Sequence, residues 1–465
     1  MAFHSPEHLL TLLENWQADA QALTMAQALQ PLTLVHGVRR VSVLPYGATV
    51  MQIELQTDPA DASSFQPLTL AYDSPLQYLQ DPFALGVTVG RFANRIAGAR
   101  YTDPSGQTHQ LDASQPPHCL HGGRQGFGKK IWQVLEQRDD FVLLYLDSPA
   151  GDQGFPGRLQ VFLQLWLTGD RLCQRFHAIS DALTVVNLTN HCYFNLNGDA
   201  DVSRHQLQVD ADAVLLVDDS GIPTAEPLHL APVAAPCITA ALAAHALNPL
   251  AVATPKAAAP AASAPGSSSQ GTSSQGSSSK GTAPATSAAL ASLFDLRKPT
   301  PLDGRFARAD HSPQALLTHG LDHCFITRAG ASATTLGASL TDVSILAAAH
   351  TPSYKPAVQA DLSAPLPLQA RLTAPLSDAQ LTASNTSSSE PARQRVLEVY
   401  SSQPGLQVYR GNYLSAPFAP YQAVCLEAQN FPDAPNRADF PASWLKAGQW
   451  YVQQIDYRFY DQAVF

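Results

Sequence analysis

Charge is sparse in this 465-residue sequence: Asp, Glu, Lys and Arg make up 14% of it, and the balance is acidic, at -10 with a pI near 5.8. A chain of that sign has no electrostatic means of holding nucleic acid or an anionic membrane, so a neutral ligand suits it better. Cysteine is scarce as well. The six present, Cys119, Cys173, Cys192, Cys237, Cys324 and Cys425, form neither Cys-x-x-Cys pairs nor a regular spacing. That argues against a disulfide framework or structural zinc and for reduced thiols in the cytoplasm. His118 and His121 superficially resemble a metal-ligand pair, but in a strand they would face opposite sides, and no second pair with zinc spacing follows. No metal or other cofactor is expected. Uninterrupted apolar runs of about 18 residues are missing, which excludes a membrane-spanning helix. The N-terminus lacks the basic start, apolar run and cleavage site of a signal peptide. A soluble, cytoplasmic protein, monomeric or homodimeric, is the expectation.

Hydrophobic residues, by contrast, make up 45% of the chain, enough for a sizeable core. Near the start, Ser5 stands as a helix cap with Pro6 in the first turn, and Leu9, Leu10, Leu13 and Trp16 recur at helical spacing, so a short helical extension is predicted within residues 1–30. From about residue 32 the apolar period becomes two. Met51, Ile53 and Leu55 alternate with polar residues, as do Val161, Leu163, Leu165 and Leu167, and further strands are predicted at 141–146, 205–209, 396–400 and 455–459. Many short strands with almost no helix between them predict an all-β fold, a large antiparallel sandwich over residues 31–465. Two stretches interrupt it. Residues 232–290 are dominated by Ala, Pro, Ser, Gly and Thr, which bury too little apolar surface to offset ordering entropy, and residues 329–392 are similarly biased except for one strand near Leu368–Leu372. The first reads as an inserted loop; a linker between two domains is the alternative.

The densest polar stretch runs from Gly90-Arg91-Phe92-Ala93-Asn94-Arg95-Ile96-Ala97 to Leu120-His121-Gly122-Gly123. Arg95 and Asn94 can bond hydroxyls, Arg95 as a permanent cation, while glycines beside His121 allow the backbone close to a ligand. Singly, each is more simply a surface pair or a structural hydrogen-bonder. Two further segments each set one proton carrier among apolar and amide residues: Asn187-Leu188-Thr189-Asn190-His191-Cys192-Tyr193-Phe194-Asn195-Leu196 and Cys425-Leu426-Glu427-Ala428-Gln429-Asn430. Together with Gly154-Phe155-Pro156-Gly157, Gly320-Leu321-Asp322-His323-Cys324-Phe325 and Leu397-Glu398-Val399-Tyr400-Ser401-Ser402-Gln403-Pro404-Gly405, these segments resemble, in order from about residue 32 to 460, those of the aldose 1-epimerase (galactose mutarotase) family.

The resemblance implies a galactose mutarotase-like supersandwich with a monosaccharide bound in an open cleft on one face. It implies Glu427 as catalytic base, His191 as catalytic acid, and Asn94, Arg95, His121, Asp322 and Gln403 as sugar contacts. Cys192, Cys324 and Ala428 depart from commonly polar positions, which bears on substrate preference more than on reaction type. Exchanging the anomers of a cyclic hemiacetal requires removal of the C1 hydroxyl proton and delivery of a proton to the ring oxygen; a carboxylate and an imidazolium can do both without redox or metal chemistry. A carboxylate beside His191 is expected to raise its pKa and keep it charged near neutrality. Cys119, Cys192 and Cys324 are expected to point into the core. Two rivals stand beside this reading. One is a glycoside hydrolase with Asp322 and Glu427 as paired carboxylates; the other is a sugar-binding module without activity.

Overall fold

Apolar side chains at every second position turn one face of each strand from water, and a computed structural model, which describes residues 4–19, 21–230, 287–303, 314, 317–328, 365–376 and 393–464, shows where those faces meet. Nine strands form one sheet in the order Gln133–Arg138, Phe141–Ser148, Leu159–Thr168, Arg171–Ser180, Trp450–Ala463, Arg393–Ser401, Leu368–Pro375, Gln206–Val209 and Thr300–Pro301. Six form a second: Tyr193–Phe194, Val424–Gln429, Gly405–Tyr409, Asp322–Thr327, Ala211–Val214 and Leu228–His229. A third sheet takes the strands Leu32–His36, Arg39–Leu44, Thr49–Gln56 and Phe65–Pro67. Their pairings are all antiparallel, as the period-two pattern and the missing crossover helices require.

The main core draws Leu144, Leu163, Phe176, Leu397 and Tyr457 from the nine-stranded sheet and Phe194, Phe325, Leu406, Val408, Leu426 and Ala428 from the six-stranded one. Each large side chain buried there contributes about 1.5–3 kcal/mol. Alternation carries a second consequence. With Leu426 and Ala428 in the core, Glu427 and Cys425 must project from the opposite face of the six-stranded sheet, and the same parity turns out Gln407 and Tyr409.

The helix Pro6–Asp19 forms where its cap and spacing predict it, with the amide of Leu9 bonded to the carbonyl of Ser5 at 3.0 Å. Its stripe Leu9 and Leu13 lies against Phe141, Leu143, Tyr145 and Phe162 on the outer face of the nine-stranded sheet, so the helix caps the sandwich. The strand expected near Leu368 is present, paired to Gln206–Val209 and Arg393–Ser401. Most of both interruptions, residues 231–286 and 329–364 with 377–392, lies outside the described residues. At the end of the first, a helix Ser287–Phe294 precedes the return to strand. Among the described residues no helix is long and apolar enough to cross a membrane.

Candidate active site

A cavity of about 560 Å³ opens over the face of the six-stranded sheet turned away from the core. Its floor is a consequence of register. Cys324, Gln407 and Glu427 sit opposite one another across three neighbouring strands, and one pleat away Asp322, Tyr409, Cys425 and Tyr193 form a parallel row. Asp322 and Gln407 are diagonal neighbours between the rows, and the Gln407 amide Nε2 donates to Asp322 Oδ1 at 2.7 Å.

His191 enters this floor from just ahead of the strand Tyr193–Phe194. Its amide donates to the carbonyl of Val87 at 3.0 Å, and its own carbonyl accepts from the amide of Gly86 at 2.9 Å. Its ring stands edge-on to His121, 5.4 Å between centroids, and tilted against Tyr193 at 5.1 Å. Nε2 of His191 lies 3.5 Å from Glu427 Oε1. The two segments, 236 residues apart in the chain, thus present their proton carriers to each other inside one cavity.

Both partners are almost wholly removed from water, His191 being 4% and Glu427 2% exposed. Burial pulls His191 down to about 4. It pushes Glu427 well above the usual carboxylate range, with the nearby Asp322 charge adding to the effect. The expectation of a carboxylate-raised, charged His191 is therefore corrected: two ions taken from water lose more solvation than a 3.5 Å contact returns, so the unliganded pair is neutral. It still holds one proton. Glu427 Oε2 and Gln407 Oε1 are buried without a hydrogen-bond partner among the described residues. Orphaned acceptors of this kind are destabilising by about 1–3 kcal/mol each, and both belong to residues lining the cavity.

The wall is built by the polar stretch around residue 90. A Cβ at Gly122 would fall 2.1 Å from the carbonyl oxygen of Gly90, so only glycine lets the two backbone segments come together here, with Gly122 at φ +80. That approach sets Asn94 and His121 side by side, and the Asn94 amide donates to His121 Nδ1 at 3.2 Å. A backbone amide can only donate, so neutral His121 carries its hydrogen on Nε2. Burial first, then the neighbouring His191 ring and the Arg95 charge, hold His121 well below its ordinary pKa and keep it a neutral donor. Arg95 is steadied by Gln115, whose Oε1 accepts from Nε at 2.7 Å. The turn at Gly221 covers it so closely that a Cβ there would lie 2.9 Å from the guanidinium carbon.

Of the residues expected from sequence, Asn94, Arg95, His121, His191, Asp322 and Glu427 all line this cavity. Gln403 does not and is corrected. It sits in the turn before the strand Gly405–Tyr409, its amide bonded to Ser401 Oγ at 3.2 Å and its carbonyl to Gln369 Nε2 at 2.6 Å. Gln407 lies four residues, about 13 Å of extended chain, farther along and faces the cavity instead. The signal was available in the alternation Leu406-Gln407-Val408-Tyr409, which matches the parity of Glu427. Cys119, Cys192 and Cys324 are all buried in core clusters as expected, and Cys324, two positions from Asp322, also lines the cavity floor. His118 and His121 do not face opposite sides: both line the cavity, because the strand Cys119–Leu120 between them is only two residues long. Sequence reading missed Tyr193, Tyr409, Tyr413 and the 218–221 turn as lining.

Known proteins similar in sequence and in fold share one family description. The family model described as aldose 1-epimerase matches residues 30–234 and 376–458. An aldose 1-epimerase of Escherichia coli is 29% identical over 430 residues, spanning 90% of this chain and 91% of its own, and a galactose mutarotase of Rattus norvegicus is 28% identical over 431 residues, 90% of each. In fold, the chain is similar to an aldose epimerase homologue from C. elegans, with TM-score 0.62, 20% identity and 94% and 99% of the two chains covered. It is also similar to a galactose 1-epimerase from Lactobacillus acidophilus, with TM-score 0.60, 22% identity and coverage of 93% and 94%.

Proposed function

The chain belongs to the aldose 1-epimerase family, and we propose that it interconverts the α and β anomers of a free aldohexose such as glucose or galactose, with Glu427 as base and His191 as acid. The observation that carries this reading is the 3.5 Å contact between two buried proton carriers with the unpartnered Glu427 Oε2 at the cavity. A pyranose entering there brings its C1 hydroxyl to Oε2, and a hydrogen bond to a carboxylate stabilises the charged form. The proton shared by the pair then moves to His191 with no change in net charge. Glu427 takes the C1 hydroxyl proton while His191 gives one to the ring oxygen as the C1–O5 bond breaks. Rotation about C1–C2 and reclosure return both protons. His121 as a neutral Nε2–H donor and Arg95 as a fixed cation oppose the charge developing on oxygen, and Asp322 with Gln407 accept and donate to ring hydroxyls.

Polarimetry on fresh α-glucose or α-galactose tests the activity. A methyl glycoside has no C1 hydroxyl to deprotonate and should be left untouched; its cleavage would turn the reading to a hydrolase using Asp322 and Glu427. Absence of any rate enhancement would leave a binding module.

The pH dependence follows from the shared proton. Below about 4, His191 gains a second proton while Glu427 keeps its own, and the base is lost. Above the raised Glu427 value both are deprotonated and the acid is lost. The rate of enzymatic equilibration should therefore form a broad plateau across neutrality with an acid limb near pH 4. A limb at the ordinary histidine value, in rates corrected for the buffer reaction, would contradict the neutral pair.

Gly221→Ala is expected to raise KM several-fold with kcat changed less. The added methyl displaces Arg95, a residue read here as binding substrate, without touching Glu427 or His191. Initial rates over a range of sugar concentrations separate the two constants.

A further inference from the structure

Behind His191, on the side away from Glu427, stands a group that the proton transfers do not use. Cys425 Sγ lies 3.6 Å from His191 Nδ1. Strand alternation puts Cys425 on the same sheet face as Glu427, but its cross-strand neighbours Tyr193 and Tyr409 close over it, and it is fully buried among them. It does not line the cavity and so cannot touch a bound sugar.

We propose that Cys425 is a positioning residue for His191, holding the imidazole through Nδ1 so that Nε2 faces Glu427 and the anomeric centre; this rests on the acid/base reading of the pair. Three observations carry it. Among the described residues, Cys425 is the one side chain with a hydrogen-bonding contact to Nδ1. The remaining neighbours, His121, Tyr193 and Tyr409, meet the ring at its edge or face and do not distinguish one nitrogen from the other. Third, the backbone bonds of His191 to Val87 and Gly86 fix its main chain but leave the ring free to turn about its last torsion.

The chemistry of a thiol suits the task. A carboxylate in this position would bind the imidazolium and hold its proton, as in dyads where a buried acid backs a histidine. A thiol is a weak donor and a weak acceptor. In the neutral ring it accepts from Nδ1–H, which leaves the Nε2 lone pair toward Glu427 to receive the shared proton. When the ring takes the proton on Nε2 and becomes imidazolium, Nδ1–H stays on the sulfur. Both protonation states are thus held in one orientation without strong preference, as a group that must give and recover a proton requires. Burial pushes the Cys425 thiol well above its ordinary value, so it stays a neutral thiol and accepts from Nδ1–H without drawing the proton off the ring.

The test uses the full chain with Cys425→Ala and Cys425→Ser, read in two ways. Ring ¹⁵N shifts of His191, identified by their loss in His191→Asn, report the tautomer without reference to activity. Steady-state mutarotation of α-galactose supplies kcat and KM. Expected are one Nδ1–H tautomer in wild type and a mixture in Cys425→Ala, with kcat lower by about five- to tenfold and KM within about twofold, in line with the loss of one hydrogen bond. Cys425→Ser, which keeps a donor and acceptor of similar size, should recover most of both. If alanine destabilises the fold, Cys425→Val retains bulk without the S–H and carries the same comparison. An unchanged tautomer and kcat in Cys425→Ala would overturn the proposal, as would equal losses in Ala and Ser. Failure of the underlying reading looks different: His191→Asn itself would then leave the mutarotation rate intact, whatever the shifts report.

Discussion

Glu427→Gln is expected to slow mutarotation by about a hundredfold to ten-thousandfold while leaving the protein folded. Glutamine fills the same volume on the strand Val424–Gln429, and its amide N–H can still donate to Nε2 of the neutral His191. What it cannot do is accept a proton from the C1 hydroxyl. The loss should fall on kcat, since the hydroxyl still finds a hydrogen-bonding group, and polarimetry on α-galactose measures it directly. Stability should move the other way. The folded state holds the Glu427 proton more tightly than the unfolded chain does. The favourable contribution of that group is therefore complete below the ordinary glutamate value and is lost as pH rises through the raised one. At neutral pH and above, a neutral amide escapes this loss, so Tm of the variant should equal or exceed that of wild type, and the difference should widen with pH. A lower Tm in Glu427→Gln at pH 8 would mean that the carboxyl is stabilised by contacts other than those described.

His191→Asn is the second large effect. The variant keeps a short polar side chain between Tyr193 and His121 but has no group that can carry a proton to the ring oxygen. A rate lower by about a hundredfold or more is expected, again with modest change in KM. Its pH profile should also change in a way that Glu427→Gln cannot reproduce. The acid limb near 4 belongs to protonation of His191 and should disappear from the residual activity. Retention of that limb would assign it to another group, of which Asp322 and His121 are buried candidates lining the same cavity. In stability the sign is opposite to that of Glu427. Because the native state resists protonating His191, the group lowers stability only as pH falls below the ordinary histidine value, and the asparagine variant should lose less stability under acid.

Most of the architecture could be read from the residues because its cause is local. Period-two alternation names the strands one at a time, and Ser5, Pro6 and the Leu9–Leu13 stripe name the helix, each without knowledge of any distant partner. The six expected residues that line the cavity lie in segments dense in glycine, amide or charge, where composition itself is unusual. Gln403 and Gln407 show the limit. Both are glutamines in the same short segment, and nothing in composition separates them; the register that sets Gln407 opposite Glu427 and Cys324 does. The charge state of His191 was misjudged for a related reason. Adjacency to a carboxylate was visible in outline, but the depth of burial that reverses its effect arises from the walls Gly90, Gly122 and Tyr193 bring around it.

By itself, then, the order of residues determined which segments become strands, which faces of them seek the core, and which side chains are capable of passing a proton. Tertiary structure alone decided which of those side chains meet, how far each is withdrawn from water, and where the shared proton rests. The physical reason is that alternation is a property of neighbours along the chain, whereas register, enclosure and desolvation depend on groups hundreds of residues apart being packed against one another.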